Sequence, residues 1–271
     1  MLRQAAKNLV LDAVTSVFGD ESGKVTLPVL AGPGRGLRFS FDLSRRIEAA
    51  YVTGRYDVAQ VRTIARFARP GMVVWDVGTY LGFYAALASR LVGAEGRVIA
   101  FEPDPENLAR ARHNAALNSL RNVEFIHAAI GEPVGTITLV KTANTNSHID
   151  GAFVGNNRAD YSTRTPDDSE TLTVRCMSLD EAYLDPAIPN PDFIKLDIEG
   201  AEQFALRHAD RLSSELGPVI MLELHNPECD RAAWDFSQRS GYRLFSLETN
   251  EYFARAEEVH GTVLCTKPGS P

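Results

Sequence analysis

The sequence predicts an α/β protein with a doubly wound, mostly parallel sheet. Three observations predict it. From residue 72 onward, apolar strand-like runs alternate with helical stretches over about 60 residues, on short connections. The first run, "VVWDVGTYLG", passes straight into a glycine-bearing turn. Acidic residues stand at the ends of the later runs. In an open sheet of this kind, ligands sit outside the carboxyl ends of the strands, so these strand ends are the place to look for chemistry.

The elements follow in order. Residues 1–18 carry Leu2, Leu9, Val10, Val14, Val17 and Phe18 mostly at helical spacing, which predicts a helix with one apolar face. That face packs on the domain or on a second copy in a homodimer. A membrane-surface anchor would want more basic residues than Arg3 and Lys7. Residues 24–41 read as a β-hairpin turned by "AGPGRG". Asp57 to Arg69 reads as a helix closed by Pro70-Gly71. "MVVWDV" is a buried strand, Phe83 to Leu91 a helix, "RVIAFE" a second strand, and Pro105 to Asn118 a helix with proline in its first turn. "VEFIHAAI" is a third strand. "TITLVKT" and "ETLTVRCMSLD" read as strands around a polar insert at 142–170. Such an insert is either a functional lid or a solvated loop. "DFIKLDIEGAE" and "PVIMLELHN" are a strand with a helix start and a further strand. Asp230 to Ser240 is a helix, and "YRLFSLE" and "GTVLCTK" form an antiparallel pair at the sheet edge.

Composition narrows the function classes. With 271 residues and 44% hydrophobic content, the chain can bury one large core. No apolar run approaches the ~20 residues of a membrane span, and the N-terminus does not read as a signal peptide. Three widely spaced cysteines without a CxxC fit a reducing cytoplasm better than a disulfide framework or zinc site. A net charge of −7 without a long Lys/Arg cluster argues against nucleic-acid binding.

Asp76, Glu102, Asp197, Glu199, Glu223 and His225 converge on one sheet edge. Burying each would be costly without a partner. In "DVGTYLG", Gly78 and Gly82 permit a turn and a close approach of backbone to a ligand, and the following helix offers free N–H groups. Asp76 can accept from a cationic amine or a loop N–H. The spacing Asp-x-Gly-x-x-x-Gly differs from the Gly-x-Gly-x-x-Gly of dinucleotide binders, and no Gly-Lys-Ser/Thr marks a phosphate loop. A purely structural turn is the alternative. Glu102 in "FEPDPENL" ends the second strand, where an acid takes both hydroxyls of a ribose; otherwise it caps the next helix. A ribose acid without a pyrophosphate loop fits a nucleoside lacking phosphates, such as S-adenosyl-L-methionine.

"VVWDVGTYLGFYAALASRL", "VIAFEPDPENLARARHNAALN", "VEFIHAAIG", "FIKLDIEGAE" and "VIMLELH" occur in that order. Together, over roughly residues 50–227, they resemble the FkbM-type methyltransferases, a branch of the class I S-adenosyl-L-methionine-dependent enzymes. The resemblance implies a Rossmann-like sheet of seven strands with an antiparallel C-terminal strand at its edge. The chain as a whole reads as an N-terminal extension, 1–50, and a catalytic domain, 51–271. The resemblance implies O-methylation of a hydroxyl on a sugar, glycan or polyketide-type natural product. The cofactor residues it implies are Tyr56, Asp76, Gly78, Thr79, Tyr80, Gly82, Phe83, Glu102, Pro103, Asn107, Ala129 and Asp197. Tyr56 belongs to Gly-Arg-Tyr-Asp at 54–57, which resembles the family's tyrosine-acid pair. Where the family often has a small-polar pair after Gly78, this chain has Thr79-Tyr80. The bulk of Tyr80 narrows the methionine pocket or meets substrate.

The catalytic candidates are His225, Asp197, Lys195, Glu199 and His148. Lys195, Asp197 and Glu199 alternate, so as strand residues they share a face. The functional reading places Asp197 beside the transferred methyl and Lys195 or Glu199 orienting it. An ion pair bracing the strand end is the alternative. His225, two residues after Glu223, is the first choice of general base, since an unperturbed imidazole titrates near ~6.5; a core or capping histidine is the competing assignment. His148, in the insert beside Asn144, Asn146 and Asp150, is the second choice, and Tyr161 could stack on a sugar. A divalent cation on Asp197, Glu223 and His225 would acidify the acceptor, though no tight ligand spacing supports it. Three other functions compete. A nicotinamide oxidoreductase lacks its glycine loop here. A cofactor-free binding module would not need the acidic set. A nucleic-acid amino-methyltransferase would show Asn/Asp-Pro-Pro-aromatic where this chain has Asp-Ile-Glu-Gly.

Overall fold

The computed structural model describes residues 19–20, 23–132, 134–141, 148–149 and 170–269. The expected helix at 1–18 and most of the polar insert, with Asn144, Asn146, Asp150 and Tyr161, lie outside the described residues.

Strands β1 (Val25–Pro28) and β2 (Arg38–Phe41) form the expected antiparallel hairpin. Phe39 and Phe41 are fully buried in one core with Val74, Val98 and Met221. Each such aromatic contributes about 1.5–3 kcal/mol by leaving water. Two helices follow, α1 (Arg46–Thr53) and α2 (Val58–Phe67). The sequence reading missed α1. Its inward residues are Glu48 and Tyr51, so a buried glutamate interrupts the apolar stripe that would have marked it. Gly54, at φ +67°, ends the helix where a Cβ would come 2.3 Å from the Ala31 carbonyl oxygen.

The sheet begins with β3 (Val73–Val77), followed by α3 (Phe83–Val92), β4 (Arg97–Phe101), α4 (Pro105–Leu117) and β5 (Val123–Ile126). Asp104 caps α4 by accepting from the Glu106 and Asn107 N–H groups, with Pro105 at the first position. The expected third strand breaks after Ile126. Its second half, β6 (Ala129–Ile130), turns into a separate four-stranded sheet with β7 (Gly135–Lys141), β8 (His148–Ile149) and β9 (Glu170–Met177), in the order β6-β9-β7-β8. Then come α5 (Leu179–Leu184), β10 (Phe193–Leu196), α6 (Glu202–Arg207), β11 (Val219–Leu224), α7 (Pro227–Ser240), β12 (Arg243–Ser246) and β13 (Gly261–Thr266).

The main sheet has seven strands in the order β12-β13-β11-β10-β3-β4-β5. β11, β10, β3, β4 and β5 are parallel, and β13 runs against both its neighbours. The last two strands thus make the expected antiparallel edge pair, with β13 inserted beside β11 and β12 outermost. The parallel strands are apolar on both faces because both are covered. Trp75, Ile99, Ile194 and Ile220 point into one core, and Val74, Val98, Phe193 and Met221 into the other. Among the described residues, no helix is long and apolar enough to cross a membrane. Cys176, Cys229 and Cys265 are buried free thiols.

Candidate active site

Strand order reverses between β10 and β4, on either side of β3, and a cleft opens at the carboxyl ends there. Its volume is about 910 Å³, counting the mouth open to solvent. Of the sequence-predicted residues, the cleft is lined by Tyr56, Gly78, Thr79, Tyr80, Phe83, Glu102, Pro103, Asn107, Ala129, Lys195, Asp197 and Glu199. Asp76, Gly82 and His225 are not lining residues.

The turn after β3 is fixed by backbone. The N–H groups of Gly78 and Thr79 both donate to the Phe101 carbonyl, at 3.0 and 3.1 Å. Gly78 has φ +83°, and a Cβ there would sit 1.9 Å from the Asp197 carbonyl oxygen, so only glycine fits. Gly82 starts α3 against Ala111, which a Cβ would meet at 3.1 Å. Asp76 is 1% exposed and faces inward. Its Oδ2 accepts from the Thr79 hydroxyl at 2.6 Å, and its Oδ1 has no hydrogen-bond partner among the described residues. Burial raises its pKa, and the Lys195 ammonium 3.8 Å away offsets this only in part.

Glu102 follows β4 and closes the same turn. Its Oε2 accepts from the Tyr80 N–H at 2.8 Å and its Oε1 from the Asp104 N–H at 3.1 Å. Burial pushes its carboxyl up to about 8 despite these two donors. Tyr80 is held in the left-handed region, at φ +50°. Its ring edges the cleft, while its hydroxyl turns outward, donating to Glu48 Oε1 at 2.7 Å and accepting from Arg45 at 3.2 Å. Glu48, fully buried, also takes Arg110 at 2.7 Å and the Asp42 N–H at 2.7 Å. A strap from α1 and α4 therefore fixes Tyr80.

The far side of the cleft is charged. β10 ends at Leu196, so Lys195 and Asp197 alternate as expected, but Glu199 arrives through a turn, at φ +55°, ahead of Gly200 at φ +98°. Lys195 donates to Asp197 Oδ2 at 2.8 Å and to the Gly78 carbonyl at 3.3 Å. Burial works against its charge. Asp197 and Asp76 outweigh that and hold the ammonium above its ordinary range. Burial opposes the charge on Asp197, yet Lys195 and His225 keep its carboxyl below the usual range. Burial lifts Glu199 to about 7 against the pull of His225. The charge of Asp197, then burial, lifts Glu223 to about 8, where it accepts from Gln60 at 2.7 Å.

His225 lies at the centre of three carboxylates. Its Nδ1 is 3.0 Å from Glu202 Oε1, and its Nε2 is 3.6 Å from Asp197 Oδ1 and 3.7 Å from Glu199 Oε2. Burial works against its charge, but Glu202 leads the carboxylates in holding its pKa well above the ordinary histidine value. His148 sits on β8, its backbone paired with Val140, away from this cluster's strands. The sequence reading passed over Glu202, although its place three residues after Glu199 puts both around one turn. It also gave no role to Tyr51 and Tyr84, which line the cleft. Tyr84 donates to Asp57, the acid of Gly-Arg-Tyr-Asp, at 3.2 Å.

A parallel sheet with a glycine turn after one strand, a buried acid after the next, and a cleft between them defines a Rossmann-like class I methyltransferase. The chain belongs to the methyltransferase FkbM domain family, which it matches over residues 76–244. It is 25% identical over 207 residues to the hexuronic acid methyltransferase AglP of Haloferax volcanii, covering 76% of this chain and 77% of that protein. Among solved structures, it is similar to precorrin-6y C5,15-methyltransferase from Geobacter metallireducens, at 17% identity and TM-score 0.48, over 85% of this chain and 94% of that one. It is also similar to the methyltransferase FkbM of Methylobacillus flagellatus, at 17% identity and TM-score 0.43, over 81% of this chain and 52% of that one.

The cofactor is S-adenosyl-L-methionine, and the residues present fit it. Gly78 lines the cleft, and its lack of a side chain lets the turn after β3 pack against the Asp197 carbonyl. Glu102 is a buried carboxyl on the cleft wall whose pKa burial raises despite its backbone donors, and the hydroxyls of a ribose would add donors that favour its charged form. No arrangement of donors for a pyrophosphate is needed.

Proposed function

We propose that this methyltransferase acts on an oxygen acceptor, a hydroxyl of a sugar and foremost of a hexuronic acid. Support comes from the relative that methylates a hexuronic acid, together with a titratable cluster of Asp197, Glu199 and His225 at the acceptor side of the cleft. When bound, S-adenosyl-L-methionine supplies an activated methyl on a sulfonium. Tyr56, Gly78, Thr79, Tyr80, Phe83, Glu102, Pro103, Asn107 and Ala129 would hold it, leaving Asp197 and Glu199 facing the acceptor.

This chain's own residues then align the hydroxyl and receive its proton. Alignment turns a two-body encounter into a one-body step and lowers the barrier by about 7–11 kcal/mol at best. Within the cluster, Glu199 is the proton acceptor, because its pKa of about 7 makes it half-ionised at neutral pH. With no ion in the cluster, His225 keeps a proton between the carboxylates and steadies them as a cation. Lys195 orients Asp197 and does not meet the acceptor itself.

Two measurements test this reading. Mass spectrometry with labelled cofactor should find the methyl on a sugar hydroxyl; transfer only to nitrogen or carbon acceptors would overturn it. Glu199→Gln should keep S-adenosylhomocysteine affinity while kcat falls by about 100-fold. In the wild-type enzyme, kcat should rise with pH through about 7, as Glu199 loses its proton. A glutamine variant with full turnover would remove Glu199 from the role.

A further inference from the structure

We propose that Asp197, Glu199 and His225 form a binding site for a divalent cation at the acceptor side of the cleft. One ligand atom from each lies within 4.8 Å of the other two. The inference is independent of the acceptor's identity; only the catalytic use of the ion rests on the function proposed above.

His225 Nε2 is 3.6 Å from Asp197 Oδ1 and 3.7 Å from Glu199 Oε2. Both distances exceed a hydrogen bond but lie within ion-pair range, so the three atoms face each other at a spacing that one ion could bridge. Atoms bound about 2.1–2.2 Å from a common ion, at roughly tetrahedral angles, are separated by about the same amount.

Two of the three side chains are tied from behind by their other polar atom, which aims the remaining atom at the gap. Asp197 gives Oδ2 to Lys195 at 2.8 Å and presents Oδ1. His225 gives Nδ1 to Glu202 Oε1 at 3.0 Å and presents Nε2. Glu202 is fully buried and is itself fixed by the Ile198 N–H at 2.8 Å and the Gly200 N–H at 3.1 Å. A buried carboxylate on the far nitrogen of an imidazole sets the ring's tautomer and orientation as metal-binding histidines require. Lys195 does not fill the gap, because it approaches Asp197 through the other oxygen.

Asp197 and Glu199 line the cleft, so the gap opens to it. Two carboxylate oxygens and one imidazole nitrogen suit a divalent first-row ion. An ion binding there would displace the His225 proton and use Glu199 as a ligand in place of its free carboxylate, and three protein ligands would leave coordination positions for the acceptor's oxygens. An ion there would add to the positive charge of Lys195 in drawing an anionic sugar to this end of the cleft.

The test is Mn2+ binding to the chelator-treated full chain, followed by calorimetry and by the electron spin resonance signal of free Mn2+. One saturable site is expected. Glu199→Gln should weaken it tenfold or more, and so should His225→Gln. Thermal melts of both variants check that they fold; Glu199, part-exposed at the cleft wall, carries the test should His225→Gln fail to fold. No saturable Mn2+ binding, or binding that both folded variants keep, overturns the site. S-adenosylhomocysteine affinity measured in the same samples separates the two readings. Nucleoside binding without Mn2+ sinks the cation site alone, whereas Mn2+ binding with no transfer to any hydroxyl sinks the proposed acceptor and leaves the site.

Discussion

The two sides of the cleft are built from different materials. The cofactor side is backbone: a turn whose N–H groups are spent on Phe101, a glycine with no room for a methyl, and an acid pinned by two main-chain donors. The side proposed for the acceptor is side chains: Lys195, Asp197, Glu199, Glu223 and His225, each shifted by burial and by its neighbours' charges. A backbone site tolerates one ligand shape and little substitution. A side-chain site can be retuned by changing one charge. On the proposed reading, cofactor choice is written into the fold, whereas acceptor choice rests on a few titratable groups.

The largest effect that would test this contrast comes from Gly78→Ala. The new methyl would meet the Asp197 carbonyl oxygen at 1.9 Å on a backbone already at φ +83°. Relief requires β3 and the turn after β10 to separate. Strain of this kind costs roughly 3 kcal/mol, or about 10 °C in Tm for a chain this size. Cofactor affinity should go with it. A variant that melts like wild type and binds S-adenosylhomocysteine equally well would show that the cofactor side is softer than its geometry implies.

Next comes Glu102→Gln. Its carboxyl, at about 8 against an ordinary 4.5, holds a proton across that window which the unfolded chain has released. The native state therefore binds more protons than the unfolded one between pH 4.5 and 8, and stability falls as pH rises through that range. Hydroxyl donors from a ribose favour the carboxylate, so cofactor binding should expel a proton. Calorimetry in two buffers of different ionisation heat would read that proton, and Glu102→Gln should abolish it. Losing hydrogen bonds to a charged acid costs about 1.5–3 kcal/mol, which is roughly 10–100-fold in affinity. Proton-neutral binding by the wild-type chain would sink the ribose assignment.

The same contrast explains what the sequence disclosed. Elements marked by period and punctuation were legible: the alternating strands, Pro105 opening α4, the glycines after β3, and Glu102 as the acid of the next strand. These are local signals, and the cofactor side is made of them. The acceptor side depends on atoms brought together by the fold. Asp197 and His225 were legible as strand-end residues. Glu202, 23 positions before His225, joins it only because β10 and β11 are neighbours. Glu223 was grouped with His225 by spacing, yet its partner is Gln60, 163 positions away. The split of "VEFIHAAI" was hidden for the same reason, since only the pairing of β6 with β9 moves its second half to another sheet. Helix α1 was masked by its buried glutamate.

The smallest effect is the most discriminating, because Tyr80 stands where the two sides meet. Its N–H serves Glu102, its ring edges the cleft, and its hydroxyl is tied to Glu48 and Arg45. The sequence reading gave it to the methionine pocket or to substrate. The strap gives its hydroxyl a different task, since that group points away from both and anchors the turn to α1. Tyr80→Phe removes the anchor and keeps the ring. Glu48 retains Arg110 and the Asp42 N–H, so little is left unpaired. The expected cost is about 1 kcal/mol, which would raise the cofactor KM roughly fivefold with kcat unchanged. A fall in kcat with cofactor KM intact would move Tyr80 to the acceptor side, and the division between a backbone half and a side-chain half would then have to be drawn on the other side of this residue.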